Sequence, residues 1–195
     1  MLRSVAMAEE IVDANAEFTA FVESCSDEEW RAICRAEKWR VGVVAHHIAW
    51  GHERAADWIN AIRSGIPIPG SPQAHNASNA IKAAQVAGIS RDEVVFLARR
   101  NAERLVAVMR SLSDEDFASA VPFGPARGRP LSIDGLGRSH LDRHLAQRGV
   151  NCAGTGHHPG SRSRASPWGV QRKGADVRWR PVAASTHARG VRPVP

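Results

Sequence analysis

Cysteine is scarce in this chain. Cys25, Cys34 and Cys152 lack the spacing of a metal knuckle and cannot form an even set of disulfides. Long apolar runs are missing as well. No stretch approaches the roughly 18 residues that a membrane span needs. The opening MLRSVAMAEEIV has no apolar run of signal-peptide length and carries acids at positions 9 and 10. These absences argue against a disulfide-stapled secreted domain and an integral membrane protein, so a reducing, cytoplasmic location is expected. Nor is there a convincing alternation of apolar and polar residues, so no strand is expected.

What is present divides into two compositions. The formal charge of the 195 residues is +6, which on its own would suggest nucleic acid or an acidic surface. Residues 149–195, however, hold eight Lys/Arg against the single acid Asp176, a local net of +7. Residues 1–148 are therefore close to neutral at −1, and the bulk charge says nothing of what they bind. The last 47 positions contain no Leu, Ile, Met or Phe, but seven Gly and five Pro. Such a segment cannot bury enough apolar surface to offset the entropy of ordering it. It reads either as a disordered basic tail or as sequence translated out of frame from about Gln147.

Residues 1–148 read as helices throughout, and the expected fold is all-α: an antiparallel four-helix bundle with one short extra helix. Ile11, Ala14, Phe18, Phe21 and Val22 recur at helical spacing. Ser26 with Glu29 forms a capping-box pattern ahead of a short helix. Val41 to Ser64 carries a stripe of Val41, Val44, Ile48, Ala55, Ile59 and Ile62, and SGIPIPGSP ends it. A shorter helix follows from His75 and is closed by Gly88. Ser90 caps the next helix, whose Val94, Leu97, Ala98, Asn101, Leu105, Val108 and Leu112 keep a heptad-like beat. VPFGPARGRP reads as a loop, and a last helix runs from about Ser132 to Arg148. Short connections favour antiparallel neighbours.

Nine histidines are present. His157, His158 and His187 lie in the basic segment, and His75 is expected in a solvated loop. His140 and His144 are four apart on the last helix, so both imidazoles lie on one face about 6 Å apart, which suits a shared metal ion. The second long helix offers His46, His47 and His52. At about 100° per residue, His46 falls nearly opposite the apolar stripe and should be solvated. His47 lies at the stripe's edge, and His52 nearer its centre. Periodicity alone favours His52 over His47 as a buried ligand, and equally suits a core histidine bonded to a neighbouring polar group.

The segment EKWRVGVVAHHIAWGHERAADWINAIRSG, followed much later by HLDRHLAQ, resembles the DinB-like superfamily of four-helix bundles, which includes YfiT-like proteins and mycothiol-dependent maleylpyruvate isomerases. Trp39 before the second long helix, the V-x-x-H-I turn at 44–48, H-x-x-x-H on the last helix and the linker LSDEDFASAVPFGP carry the likeness. It covers residues 1–148. The resemblance implies a metal held by His47, His140 and His144, preferring His47 where periodicity prefers His52, and leaves His52 and Asn101 as residues that support a ligand or touch substrate. One departure is that Gly135 and Gly137 precede His140, each costing roughly 1 kcal/mol in a helix, so the approach to His140 is expected to fray.

A three-histidine set with open positions suits catalysis. Zinc is the expected ion, with nickel, iron and manganese also compatible with imidazole. The resemblance implies thiol-dependent transferase or isomerase chemistry with a low-molecular-weight thiol such as mycothiol, or hydrolysis. A small electrophilic substrate and a second copy of the chain are the expected partners, with no membrane. Arg54, Asn76 and Asn79 are candidates to line the mouth. Trp39, Trp50 and Trp58 read as packing. The competing reading is a non-catalytic bundle whose basic segment, with Trp168 and Trp179 among arginines, binds nucleic acid weakly and without specificity.

Overall fold

The computed structural model describes residues 2–34 and 37–147, with side chains as far as His140. The segment 149–195 and both readings of it lie outside the described residues.

Local signals set the helix starts. Helix α1 spans Arg3–Ser24. Ser26 then opens the short α2, Asp27–Arg31, through a reciprocal cap: its Oγ accepts from the Glu29 N–H at 3.2 Å, and its own N–H donates to Glu29 Oε2 at 2.9 Å. Ser90 and Glu93 repeat the motif at the start of α5, Arg91–Arg110. Between them lie α3, Val41–Arg63, and α4, Pro72–Gln85. The last helix, α6, covers Ile133–Gln147. Helix α4 begins three residues before the expected His75, because Ser71 Oγ accepts from the Ala74 N–H at 3.1 Å and Pro72 occupies the first helical position, where its missing N–H costs nothing.

One expectation is overturned. The stretch expected as a loop holds a small antiparallel pair, β1 Ala120–Phe123 and β2 Arg129–Ser132, with Pro122 facing Pro130. Proline is tolerated in a ladder only where its nitrogen faces away from the partner strand. That condition is met here. The Pro122 carbonyl accepts from the Ile68 N–H on the outer side at 3.0 Å, so its nitrogen points outward too. Two prolines in eight residues masked the strand signal.

The helix directions follow from their contacts. Arg3 pairs with Asp134, and a Cβ on Gly137 would meet the Met7 side chain, so α1 and α6 run the same way. Ala49 meets Asn101, Asp57 meets Arg104 and Arg63 meets Ser111, so α3 and α5 also run together. Arg91 and Arg99 of α5 reach back to Asp27 and Glu23, which sets α5 against α1. The parallel α3/α5 pair requires the crossover that α4 provides. Helix α6 is continuous where fraying was expected. Gly137 lets α6 close on α1, since a Cβ there would lie 2.5 Å from Met7 Sδ. Ser132 Oγ accepts from the Gly135 N–H at 3.0 Å and secures the first turn.

The interior has two apolar clusters. One gathers Met7, Ile11, Ala55, Ile59, Leu105 and Leu136 among others. The second gathers Phe18, Val22, Val44, Ile48, Val94 and Ala98. Fully burying a side chain of the Ile or Leu kind contributes about 1.5–3 kcal/mol, so these clusters dominate the favourable side of folding. Along each helix the break between the clusters carries a buried polar residue: Asn15 in α1, His52 in α3 and Asn101 in α5. On α6, His140 follows one turn after Leu136. A polar layer thus crosses the bundle between two apolar ones.

Candidate functional site

His52 is only 1% exposed. Its Nδ1 lies 3.0 Å from Nε2 of the half-buried His140, with ring centroids 5.0 Å apart at 68°. Room for this approach comes from Gly51, whose Cβ position is 3.6 Å from His140 Cε1. Burial, followed by the nearby His140 charge, lowers the pKa of His52 to about 3. Its imidazole is therefore neutral at physiological pH, the form a metal ligand or hydrogen-bond relay requires. Periodicity selected the histidine that meets His140.

His47 is half-buried and stands edge-on to two indoles, Trp39 at 5.8 Å and Trp50 at 6.2 Å between centroids. It lies one turn before Gly51 on the same helical face. His144 follows His140 by one turn of α6, and its side chain lies outside the described residues. Among the described residues no three His, Cys, Asp or Glu side chains gather as a metal-binding group.

His46 corrects the sequence reading. It is buried, 7% exposed, where solvent was expected. Thirteen of the 23 residues of α3 are buried, so this helix hides more than the one stripe that periodicity followed. Burial, then the positive charge of Lys82, holds the His46 pKa below the usual histidine value.

Asn101 makes the helix-to-helix bond its position on the apolar stripe suggested. Its Nδ2 donates to the Ala49 carbonyl at 3.0 Å, and its Oδ1 accepts from Arg100 Nε at 3.1 Å. Asn15 escaped the sequence reading. It is 8% exposed, and its Oδ1 has no hydrogen-bond partner among the described residues. An asparagine at an apolar position of α1 was the available signal.

A second group lies on the α4 side of α3. The Arg54 guanidinium sits between the Trp50 and Trp58 rings, at 4.7 and 4.6 Å from their centroids. It donates to Asn79 Oδ1 at 3.1 Å and meets His75 Nδ1 at 2.9 Å. Arginine can only donate, so His75 accepts through Nδ1. His75 is therefore a half-buried helix residue and not a loop histidine in solvent. Asn76 is exposed. Trp50 and Trp58 pack, as expected, yet what they pack on is a cation.

A family model described as the DinB superfamily matches residues 10–147. The chain belongs to the DinB superfamily. Among solved structures, the chain is similar to a crystal structure of a histidine-to-alanine mutant of mycothiol-dependent maleylpyruvate isomerase, with a TM-score of 0.61 and 14% sequence identity. The match covers 75% of this chain and 59% of that one. At that identity the likeness establishes the all-α bundle, and this DinB chain spans little more than half of the isomerase chain. No curated protein sequence matches it. Among the described residues no helix is long and apolar enough to cross a membrane.

Proposed function

We propose that this DinB-superfamily chain is a metal-dependent enzyme whose divalent ion, zinc first, is held between α3 and α6 by His47, His140 and His144, with His52 orienting His140. The contact between His52 and His140 at 3.0 Å carries the reading. It sets an α6 histidine against a buried neutral imidazole whose ring nitrogen can accept its N–H, the role that a carboxylate, a backbone carbonyl or a water usually plays for a metal-bound histidine. Because α6 runs against α3, the turn after His140 heads toward the α3 turn that bears His47. The donor set consists of imidazoles, which suits zinc and tolerates nickel, iron and manganese.

When bound, such an ion supplies Lewis acidity that favours the deprotonated form of a thiol or water reaching it. The chain's own residues do the rest. His52 fixes the His140 tautomer, and the Trp39 and Trp50 edges restrict water around His47. The likeness to a mycothiol-dependent isomerase supports a low-molecular-weight thiol as co-substrate and an electrophilic small molecule as its target, with hydrolysis as the alternative reaction. We assign the chain to the cytoplasm, where such thiols are kept reduced.

A distance of 3.0 Å also fits a shared ion, since two imidazole nitrogens on one tetrahedral zinc lie about 3.3 Å apart. Metal content of purified protein and of four single alanine variants separates the two arrangements. Loss of metal in His47→Ala, His140→Ala and His144→Ala, with a 10–100-fold weaker affinity in His52→Ala, supports the stated ligand set. Metal kept in His47→Ala but lost in His52→Ala moves the third ligand to His52. Folded wild-type protein that takes up no metal on reconstitution overturns the enzyme reading.

A further inference from the structure

Away from the histidines, α2 and the starts of α3 and α5 enclose a cleft of about 270 Å³. Three guanidinium groups line it, Arg31, Arg40 and Arg91, against one carboxylate, Asp27. Trp30 and Ile89 form an apolar wall, fixed by the bond from Trp30 Nε1 to the Ile89 carbonyl at 2.9 Å. Gly42 makes room for that indole, because a Cβ there would stand 2.7 Å from the ring.

The charges in this cleft are not balanced. Asp27 is engaged by Arg91, whose Nη2 donates to it at 2.6 Å, and more loosely by Arg31 at 3.5 Å. Arg91 also donates to the Cys25 carbonyl at 3.1 Å. Arg40 has no ion pair among the described residues, so the lining carries a surplus near +2. Its position sharpens the imbalance. Arg40 is the N-cap of α3, makes no side-chain capping bond, and is followed by a first turn without an acid. A cation at a helix N-terminus opposes the macrodipole; Arg91, the first residue of α5, is offset by Asp92 and Glu93 in the same turn, whereas Arg40 is not. Arg40 thus sits uncompensated at a helix start, in the cavity it shares with Arg31 and Arg91. An anion placed beside Arg40 would relieve it.

We infer that this cleft binds a small phosphorylated molecule, its phosphate dianion held by Arg40 and Arg31 beside the Asp27–Arg91 pair and its remaining part resting on Trp30 and Ile89. The surplus of two charges matches a dianion, and guanidinium forks match phosphate oxygens in geometry. The volume is that of a phosphate with a small organic group. A nucleic-acid strand would instead need an open track of cations.

Calorimetric titration of the full chain with inorganic phosphate, then pyrophosphate, at fixed ionic strength tests this. Saturable 1:1 binding is expected. Arg40→Gln should weaken it by roughly tenfold or more. Asp27→Asn, which removes the opposing carboxylate, should tighten it. Arg99→Gln, on the outer face of α5, should leave it unchanged. The Arg40 side chain is exposed and makes no capping bond, so its replacement leaves the fold intact, which circular dichroism verifies. Absence of saturable binding by folded wild-type protein overturns the inference. So does binding that is indifferent to Arg40→Gln, because the anion then sits elsewhere, for instance on the basic segment 149–195.

Discussion

His140 reaches His52 across a gap in the side chains of α3: Gly51 leaves its Cβ position 3.6 Å from His140 Cε1. That is ordinary van der Waals contact, so a methyl group fits there and a longer side chain does not. Gly51→Ala should raise stability by up to about 1 kcal/mol, the helix-propensity difference, and leave metal uptake at the proposed site unchanged. Gly51→Leu should expel the His140 ring and abolish metal uptake at the proposed site while the protein still folds. Denaturant midpoints and metal content, measured together on both variants, check the pair.

The orphaned carbonyl of Asn15 gives a second expectation. A buried acceptor without a donor costs about 1–3 kcal/mol. Asn15→Leu should therefore stabilise the metal-free protein by about 1 kcal/mol in urea unfolding. A loss of that size would mean instead that the amide is fully paired.

Asp134 ties the start of α6 to α1 and to its own next turn. A hydrogen bond from Arg138, ahead of the Arg3 contact, holds its carboxyl below the ordinary aspartate pKa against a smaller opposing push from burial. A depressed carboxylate pKa contributes stability that is fully present above the unfolded value near 3.8 and is lost as pH falls through the folded one. Asp134→Asn should lower stability at pH 7 by a few tenths to about 1 kcal/mol, given its partial exposure. The difference from wild type should vanish toward pH 2. Thermal unfolding across pH 2–7 reads both effects.

The Arg54 clamp should govern α4 alone. No residue of α4 is buried, so its hold on the bundle rests on contacts such as those of Arg54 with Asn79, His75 and the two indoles. Arg54→Ala should speed amide exchange across 72–85 by about an order of magnitude, as expected when a locally stable segment loses its anchor, and leave α3 and α5 protected. Arg54→Lys should restore little, because a lysine cannot fill a planar slot between two rings while donating in two directions.

Much of this was legible in the sequence, and the misses have causes. The Ser26 and Ser90 capping boxes, the stripe of α5 and the bond made by Asn101 follow from spacing and chemistry at single positions. His52 was legible from periodicity, because an apolar stripe marks the deepest line of a helix. His46 was misjudged by the same method: α3 packs on more than one side, and a stripe describes only one. The hairpin was hidden by prolines whose outward-facing nitrogens make them harmless. Gly137 read as a weakness in α6 because propensity counts only the helix itself, whereas its worth lies in the approach of Met7. Asn15 could be noticed, but its missing partner is visible only in three dimensions.

The crossover helix has a consequence for how such a bundle can change. Because α4 contributes nothing to either apolar cluster, its sequence is released from the packing constraints that bind the other helices. Replacements there need to satisfy only a cap at Ser71, the acceptors His75 and Asn79 for Arg54 and a return to Ser90. Lys82 nonetheless stands close enough to Trp50 and His46 to be felt by both. Helix α4 is thus a part that mutation can rewrite cheaply, placed within electrostatic reach of His46, and the charge felt inside α3 can be changed there without the core being rebuilt.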